Sequence, residues 1–271
     1  MSKSVRAKSG EVEMVSALRP ATFEDAAEWY EFASSGHFWF EWRLAALRRM
    51  LAHVGIPLDQ SARALDVGCG TGVLRSQLEA NTPWIVDGAD LNLPALQAAP
   101  PGRGTILYYD IEEMQSRFVE AYDVVTCCDV IEHIDDTGPF MRAVVRHLKP
   151  GGVLLLSVPA LPGLHSAYDE AAGHVRRYTA QTLSAECEDL SLDVLDVRYW
   201  GFAMVPLLWL RKLWVKPREG DVSVLREGFV PPGDLAHAGL RAIMRLELAL
   251  LRRPPLGSSV MLVARRRAAD A

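Results

Sequence analysis

The stretch Ala62–Val67 ends on the turn Gly68-Cys69-Gly70-Thr71-Gly72 and passes at once into a helical pattern over Val73–Ala80, and no other feature constrains this chain as much. A short strand that turns on glycines into a helix opens a βαβ unit. The alternation continues from there. Trp84–Ala89 reads as a second strand, Thr105–Tyr109 as a third and Tyr122–Cys128 as a fourth. A helix follows from about Thr137 to Leu148, stopped by Lys149-Pro150-Gly151-Gly152, before a fifth strand at Val153–Val158. Leu192–Tyr199 and Ser259–Ala264 supply a sixth and a seventh. Several of these runs are apolar throughout rather than alternating, as in a parallel sheet covered on both faces. The expected fold class is therefore α/β, a Rossmann-like, mostly parallel sheet with helices on both sides.

The rest of the chain elaborates that core. A loop rich in His, Tyr and charge runs from Pro159 to Arg177, and Thr179 reads as the N-cap of a helix to Leu190. The segment 200–257 is too long for a hairpin and holds two helical stretches, Ala203–Val215 and Leu235–Leu251, so it reads as a helical insertion. Residues 1–60 read as an N-terminal helical extension or cap, with one or two helices over Phe23–Ala52, and 61–271 as one domain. A chain of 271 residues, 49% of them hydrophobic, can bury one large core. A net charge of -5 and a pI near 5.8 argue against a general nucleic-acid binder. There is no secretory apolar core, and the longest apolar run, Trp200–Leu210, stops at Arg211 and Lys212, short of the roughly 18 residues of a span. Cys69, Cys127, Cys128 and Cys187 show no CxxC spacing, so a reducing, cytoplasmic location without structural zinc is expected.

Two ligands compete for the glycine turn. A dinucleotide fingerprint needs a further glycine where this chain has Val73. Asp66, just before the turn, would repel a pyrophosphate but suits the cationic amino-acid end of S-adenosylmethionine (SAM). Asp90, in Val86-Asp87-Gly88-Ala89-Asp90-Leu91-Asn92, lies close to the ~20 residues from the turn expected of a carboxylate that binds ribose hydroxyls. Asp110 ends the third strand, where it can accept from an adenine amino group. Three acidic strand ends on the carboxyl edge of one sheet favour SAM over NAD.

Leu65-Asp66-Val67-Gly68-Cys69-Gly70-Thr71-Gly72, Asp90, Asp110, the stretch Cys128-Asp129-Val130-Ile131-Glu132-His133 and the Lys149–Gly152 turn resemble the class I SAM-dependent methyltransferases. The resemblance covers roughly Ser61–Val158. On either side, His37-Phe38-Trp39-Phe40 with Arg43, and Val158–Ala160 through Asp169, Glu170, His174, Arg176, Arg177 and Tyr178, are similar to a bacterial small-molecule subgroup of the ubiquinone-biosynthesis type. This chain has His165-Ser166 where that subgroup often has Trp-Ser, a departure that bears on the acceptor rather than the cofactor. The resemblance implies a seven-stranded sheet of order 3-2-1-4-5-7-6 with the last strand antiparallel. It implies Asp66, Gly68, Cys69, Gly70 and Gly72 at the methionine end, Asp90 and Leu91 at the ribose, and Asp110 and Ile111 at the adenine. Asp129 and Val130 would flank the cofactor, and Phe38 would cover it. Arg43 is either a surface charge or the bidentate partner of the methionine carboxylate.

Methyl transfer from a sulfonium is an in-line displacement, so the protein aligns the groups, excludes water and, for an oxygen or nitrogen nucleophile, supplies a base. His133, His165, Asp169, His174 and Tyr178 are the candidates, with His133 equally readable as a structural residue. No metal site is evident from spacing. The expected activity is methyl transfer from SAM, giving S-adenosylhomocysteine, to O, N or C of a small, partly apolar metabolite. A lipid-like acceptor and a non-catalytic SAM-binding module are the alternatives. A nucleic-acid amino acceptor is disfavoured, because Cys-Asp-Val-Ile-Glu-His stands where an Asn/Asp-Pro-Pro-aromatic stretch would be needed. The insertion fits an apolar lid, a dimer surface or a weak contact with a membrane surface, and the chain a monomer or homodimer.

Overall fold

The strands and helices are those of a computed structural model, which describes residues 3–6, 11–18, 36–214 and 233–268. Nine strands form one sheet: β1 (Lys3–Arg6), β2 (Glu11–Met14), β3 (Arg63–Val67), β4 (Ile85–Asp90), β5 (Ile106–Tyr108), β6 (Tyr122–Cys128), β7 (Leu148–Pro159), β8 (Leu192–Trp200) and β9 (Ser259–Arg266). Their order is β1-β2-β5-β4-β3-β6-β7-β9-β8. From β5 to β8 this is the expected 3-2-1-4-5-7-6 arrangement, with β9 antiparallel to both neighbours. The two extra strands correct the expectation of seven. β2 lies parallel to β5, and β1 folds back antiparallel on β2. The N-terminal extension is thus not purely helical. Of the helices expected over Phe23–Ala52, α1 (Phe38–His53) is present, and positions 23–35 lie outside the described residues.

Strand residues alternate between two apolar layers, which is why both sides of the pattern are hydrophobic. Leu65, Val125, Leu154 and Leu262 face one layer, closed by α4 (Thr137–His147). Ala64, Val124, Leu155 and Val263 face the other, where Trp42, Leu47 and Leu51 of α1 and Leu74 and Leu78 of α2 (Val73–Asn81) pack. Local signals set the boundaries. Asn92 accepts from the Ala95 N–H at 3.0 Å and caps α3 (Leu93–Ala98), and Asp136 caps α4. Past β7 come the short helices α5 (Ala167–Ala171) and α6 (Ala180–Ala185), the latter much shorter than the stretch expected from Thr179 to Leu190.

Between β8 and β9 stand α7 (Val205–Trp214) and α8 (Asp234–Leu250), with Val215 to Pro232 outside the described residues. α8 packs on α1, where Arg241 pairs with Glu41 at 2.8 Å and the Phe38 N–H donates to His237 Nε2 at 3.1 Å. α7 leans on the loop after β7, with the Arg211 guanidinium over the Tyr168 ring and Lys212 donating to the Gly163 carbonyl. No described helix is long and apolar enough to cross a membrane.

Candidate functional site

The carboxyl ends of β3 to β7 converge on one edge of the sheet, where an open parallel sheet binds its ligands. Gly68, Gly70 and Gly72 adopt φ of 70°, 53° and 73°, a left-handed conformation that favours glycine. At Gly68 space adds to conformation, because a Cβ there would lie 2.3 Å from Val130 Cγ2. Cys69 is buried behind the turn among Leu96 and Tyr108.

The acidic strand ends differ in their surroundings. Asp66 is buried and accepts from the Thr126 hydroxyl at 2.6 Å. Burial outweighs that bond and the nearby Arg43 charge, and lifts its pKa to about 6. Asp90 Oδ2 accepts from the Gly70 N–H and Oδ1 from the Asn92 N–H, both at 2.8 Å, so the carboxylate ties the glycine turn to the end of β4. Each oxygen keeps lone-pair capacity for a further donor. Leu91 beside it is exposed. Asp110 Oδ1 accepts from the Glu112 N–H at 2.9 Å, its own N–H donates to Ser16 Oγ at 3.0 Å, and Ile111 is buried behind it.

Asp129, immediately after β6, has a φ of 57° that is unusual for a residue other than glycine. Its N–H donates to the Ser157 carbonyl at 2.7 Å, and its carboxylate pairs with Arg43 Nη1 at 2.7 Å. Arg43 is therefore no surface charge. It is 6% exposed, and its Nε is buried without a hydrogen-bond partner among the described residues. Burial disfavours its charge, but Cys128, Asp129 and Asp66 outweigh this and raise its pKa. The ring beside its guanidinium is Phe40, 5.1 Å from the centroid. Phe38 is packed in the core with Trp42 and Trp200.

One residue absent from the sequence-based candidates dominates the acceptor side. Glu132, on the 3-10 turn Ile131–His133, is fully buried, and both carboxylate oxygens lack a hydrogen-bond partner among the described residues. Burial first, and the Asp129 charge next, push its pKa well up. One carboxylate oxygen and a ring nitrogen each of His133 and His174 lie within 4.8 Å of one another. His133 Nδ1–H donates to the Gly173 carbonyl at 3.1 Å, which puts the lone pair on Nε2. Although part of this residue faces solvent, ring desolvation and the neighbouring His174 lower its pKa to about 4, so the imidazole is neutral. His174 Nδ1 sits 3.0 Å from Asp169 Oδ1, a contact that makes Nδ1 the donor and again leaves the lone pair on Nε2. One carboxylate and two oriented imidazoles form a donor set that suits a divalent cation. Interresidue spacing had pointed to no metal. The cluster forms only because the loop after β7 folds back over the end of β6.

Three of the expected catalytic groups are engaged by their own neighbours. Asp169 is fully buried and accepts from Arg177 Nε at 2.7 Å, His174 Nδ1 and the Ser166 N–H. Burial alone would raise its pKa, but His174 and Arg177 outweigh it and hold the carboxyl below the usual range, which unfits it as a proton acceptor. Tyr178 is buried with its hydroxyl 3.4 Å from the Ile131 carbonyl, and burial pushes its pKa up. His165 Nε2–H donates to the His174 carbonyl at 3.2 Å, so it supports the loop while His174 presents its ring to Glu132.

A parallel sheet with a glycine turn and acidic strand ends along its carboxyl edge is the frame of a nucleoside-binding α/β enzyme. The profile of a methyltransferase-domain family matches residues 25–197, and the chain belongs to that family. It is an SAM-dependent methyltransferase. A ubiquinone biosynthesis O-methyltransferase from Paracidovorax citrulli is 31% identical over 229 residues, 74% of this chain and 92% of that protein. One of the same name from Rickettsia canadensis is 35% identical over 98 residues, 34% of this chain and 41% of its own length. Among solved structures, phosphoethanolamine N-methyltransferase 2 of Haemonchus contortus in complex with S-adenosyl-L-methionine superposes with a TM-score of 0.58. It is 19% identical and covers 95% of this chain and 62% of that one, a likeness of fold.

Gly68→Ala tests the turn. Left-handed strain and the collision with Val130 should weaken S-adenosylhomocysteine binding by at least about tenfold in calorimetry. An unchanged affinity would remove the turn from the cofactor site.

Proposed function

We propose that this methyltransferase acts on a hydroxyl oxygen of a small, partly apolar metabolite, and that it works as a monomer or homodimer in the cytoplasm. The observation that carries the acceptor reading is the unpartnered, buried Glu132 carboxylate set against the His133 and His174 imidazoles. The O-methyltransferase name of its Paracidovorax relative supports oxygen over nitrogen or carbon. In this reading Asp66 takes the ammonium of the methionine moiety, and Arg43, already paired with Asp129, turns its unpartnered Nε toward the carboxylate. Asp90 accepts from the ribose hydroxyls, with Leu91 beside it, and Asp110 and Ile111 hold the adenine. Gly70 and Cys69 leave room for the ligand against the main chain, and Val130 forms the opposite wall.

Glu132, His133 and His174 fit a divalent cation, which would act as a Lewis acid on the acceptor hydroxyl. The protein's own part is to orient that oxygen toward the sulfonium methyl. The O–C bond forms as the S–C bond breaks, S-adenosylhomocysteine leaves as a neutral thioether, and the hydroxyl proton passes to water, because a cation would occupy the lone pairs of both imidazoles. α7, seated on the loop after β7, borders the acceptor side.

The reading is tested by screening small hydroxylated aromatic and aliphatic compounds for S-adenosylhomocysteine release, beside amines of similar shape. Turnover confined to amines would reject it. Asp90→Ala should weaken S-adenosylhomocysteine binding by about 1–3 kcal/mol, roughly 5- to 150-fold, because ribose donors lose their acceptor. Equal affinity in that variant would sink the ribose assignment.

A further inference from the structure

The insertion presents an apolar surface that the chemistry above does not use. On α8, Met244 and Glu247 face inward, and the carboxylate of Glu247 accepts from the N–H groups of Gly201 and Ala203, both at 2.9 Å, locking the helix rotation. At 100° per residue the opposite side then carries Leu235, Ala242, Ile243, Leu246, Ala249 and Leu250. All six are exposed, Leu235 at 91%, Leu246 at 59% and Leu250 at 70%. No charged residue interrupts this stripe, which reverses the usual solvent face of an amphipathic helix. Leu207, Trp209 and Leu210 of α7 are exposed as well.

Charge says what covers this surface. α7 and α8 carry the four cations Arg211, Lys212, Arg241 and Arg245 against the two acids Asp234 and Glu247, the latter turned inward, in a chain that carries 29 Lys and Arg against 34 Asp and Glu. Arg245 is exposed one helical step from Leu246, and Lys212 lies 5.7 Å from the Trp209 ring centroid, an aromatic and a cation side by side as at a lipid headgroup boundary. A second copy meeting this face across a two-fold axis would set cation against cation. An anionic bilayer complements it.

We propose that the outward faces of α7 and α8 form a docking surface for the anionic phospholipid bilayer, with the apolar stripe in the headgroup boundary and Arg245 at its margin. This goes beyond the acceptor assignment and stands whether or not the acceptor is lipid-like. Its consequence is positional. α8 is fixed to α1, and α1 carries Arg43 at the active edge, so docking holds the acceptor entrance beside the membrane surface.

The test is sedimentation of the full chain with vesicles of phosphatidylcholine alone or mixed with phosphatidylglycerol. The protein should pellet with the mixed vesicles, stay in solution with phosphatidylcholine alone, and be released in part by high salt. Ile243→Glu with Leu246→Glu should weaken partition at least about tenfold. Both side chains are exposed, so thermal unfolding and S-adenosylhomocysteine binding should be unchanged. Arg245→Glu leaves the apolar stripe intact and should weaken partition to anionic vesicles by about fivefold or more. Failure of the wild-type protein to pellet would overturn the proposal, as would unweakened pelleting of the variants. So would a wild-type dimer in sedimentation equilibrium that the double variant dissociates, with no vesicle binding by either.

Discussion

Glu132→Gln is expected to slow methyl transfer by about a hundredfold while making the fold more resistant to heat. The two effects share one cause. Keeping Glu132 buried with neither oxygen hydrogen-bonded costs free energy, either as the bare charge or in taking up the proton that its raised pKa favours, and a neutral amide of the same shape avoids that cost. Natural sequences keep such a group where a ligand satisfies it. The loss of rate should be accompanied by a loss of cation affinity: Mn²⁺ or Zn²⁺ should bind the wild-type protein and bind the variant roughly 10- to 100-fold more weakly. Chelation should depress wild-type turnover, with recovery on adding back the divalent ion. S-adenosylhomocysteine affinity should stay within about threefold, since Asp66, Asp90 and the glycine turn are untouched. A variant as active as wild type, with the same thermal midpoint, would reduce Glu132 to a packing residue.

What could be read beforehand follows from the range of the interactions. β3 to β9 announce themselves because residues such as Leu65 and Ala64 face two different apolar layers, leaving both phases of the strand hydrophobic. Asp66 and Asp90 were legible for the same reason, since a parallel sheet places strand ends without further help. β1 and β2 were not. Glu11-Val12-Glu13-Met14 is a four-residue alternation whose strand state comes from pairing with Ile106–Tyr108 far along the chain. The burial of Phe38 in the core was not readable from the aromatic cluster, because it comes from packing against residues as distant as Trp200 and Met244. Glu132 was visible as part of a motif, directly before a histidine and directly after β6. Its role depends on His174 arriving from a loop some forty residues on, which no local pattern encodes. The same folding-back moved Asp169 from candidate base to support.

That support can be measured, and it separates positioning from chemistry. Asp169→Ala is expected to cost about 3–5 kcal/mol of stability, because the 8% exposed Arg177 would be left as a buried charge with, among the described residues, the Ala160 carbonyl alone to receive it. The carboxyl's pKa is depressed in the fold, so its contribution is complete at neutral pH and fades as pH falls below the unfolded value of about 4 toward the folded one. Wild-type denaturant midpoints should therefore drop across that acid range, and those of the variant should drop less. Pairing the substitution with Arg177→Met removes both charges together and should return much of the lost stability. Activity should not return with it. Without Asp169 nothing directs the His174 proton to Nδ1, so Nε2 is no longer held as the lone-pair nitrogen, and cation affinity should remain low in the double variant. If stability and cation binding recovered together, Asp169 would be a partner of Arg177 alone. If stability alone recovers, the carboxylate orients the histidine that the site uses.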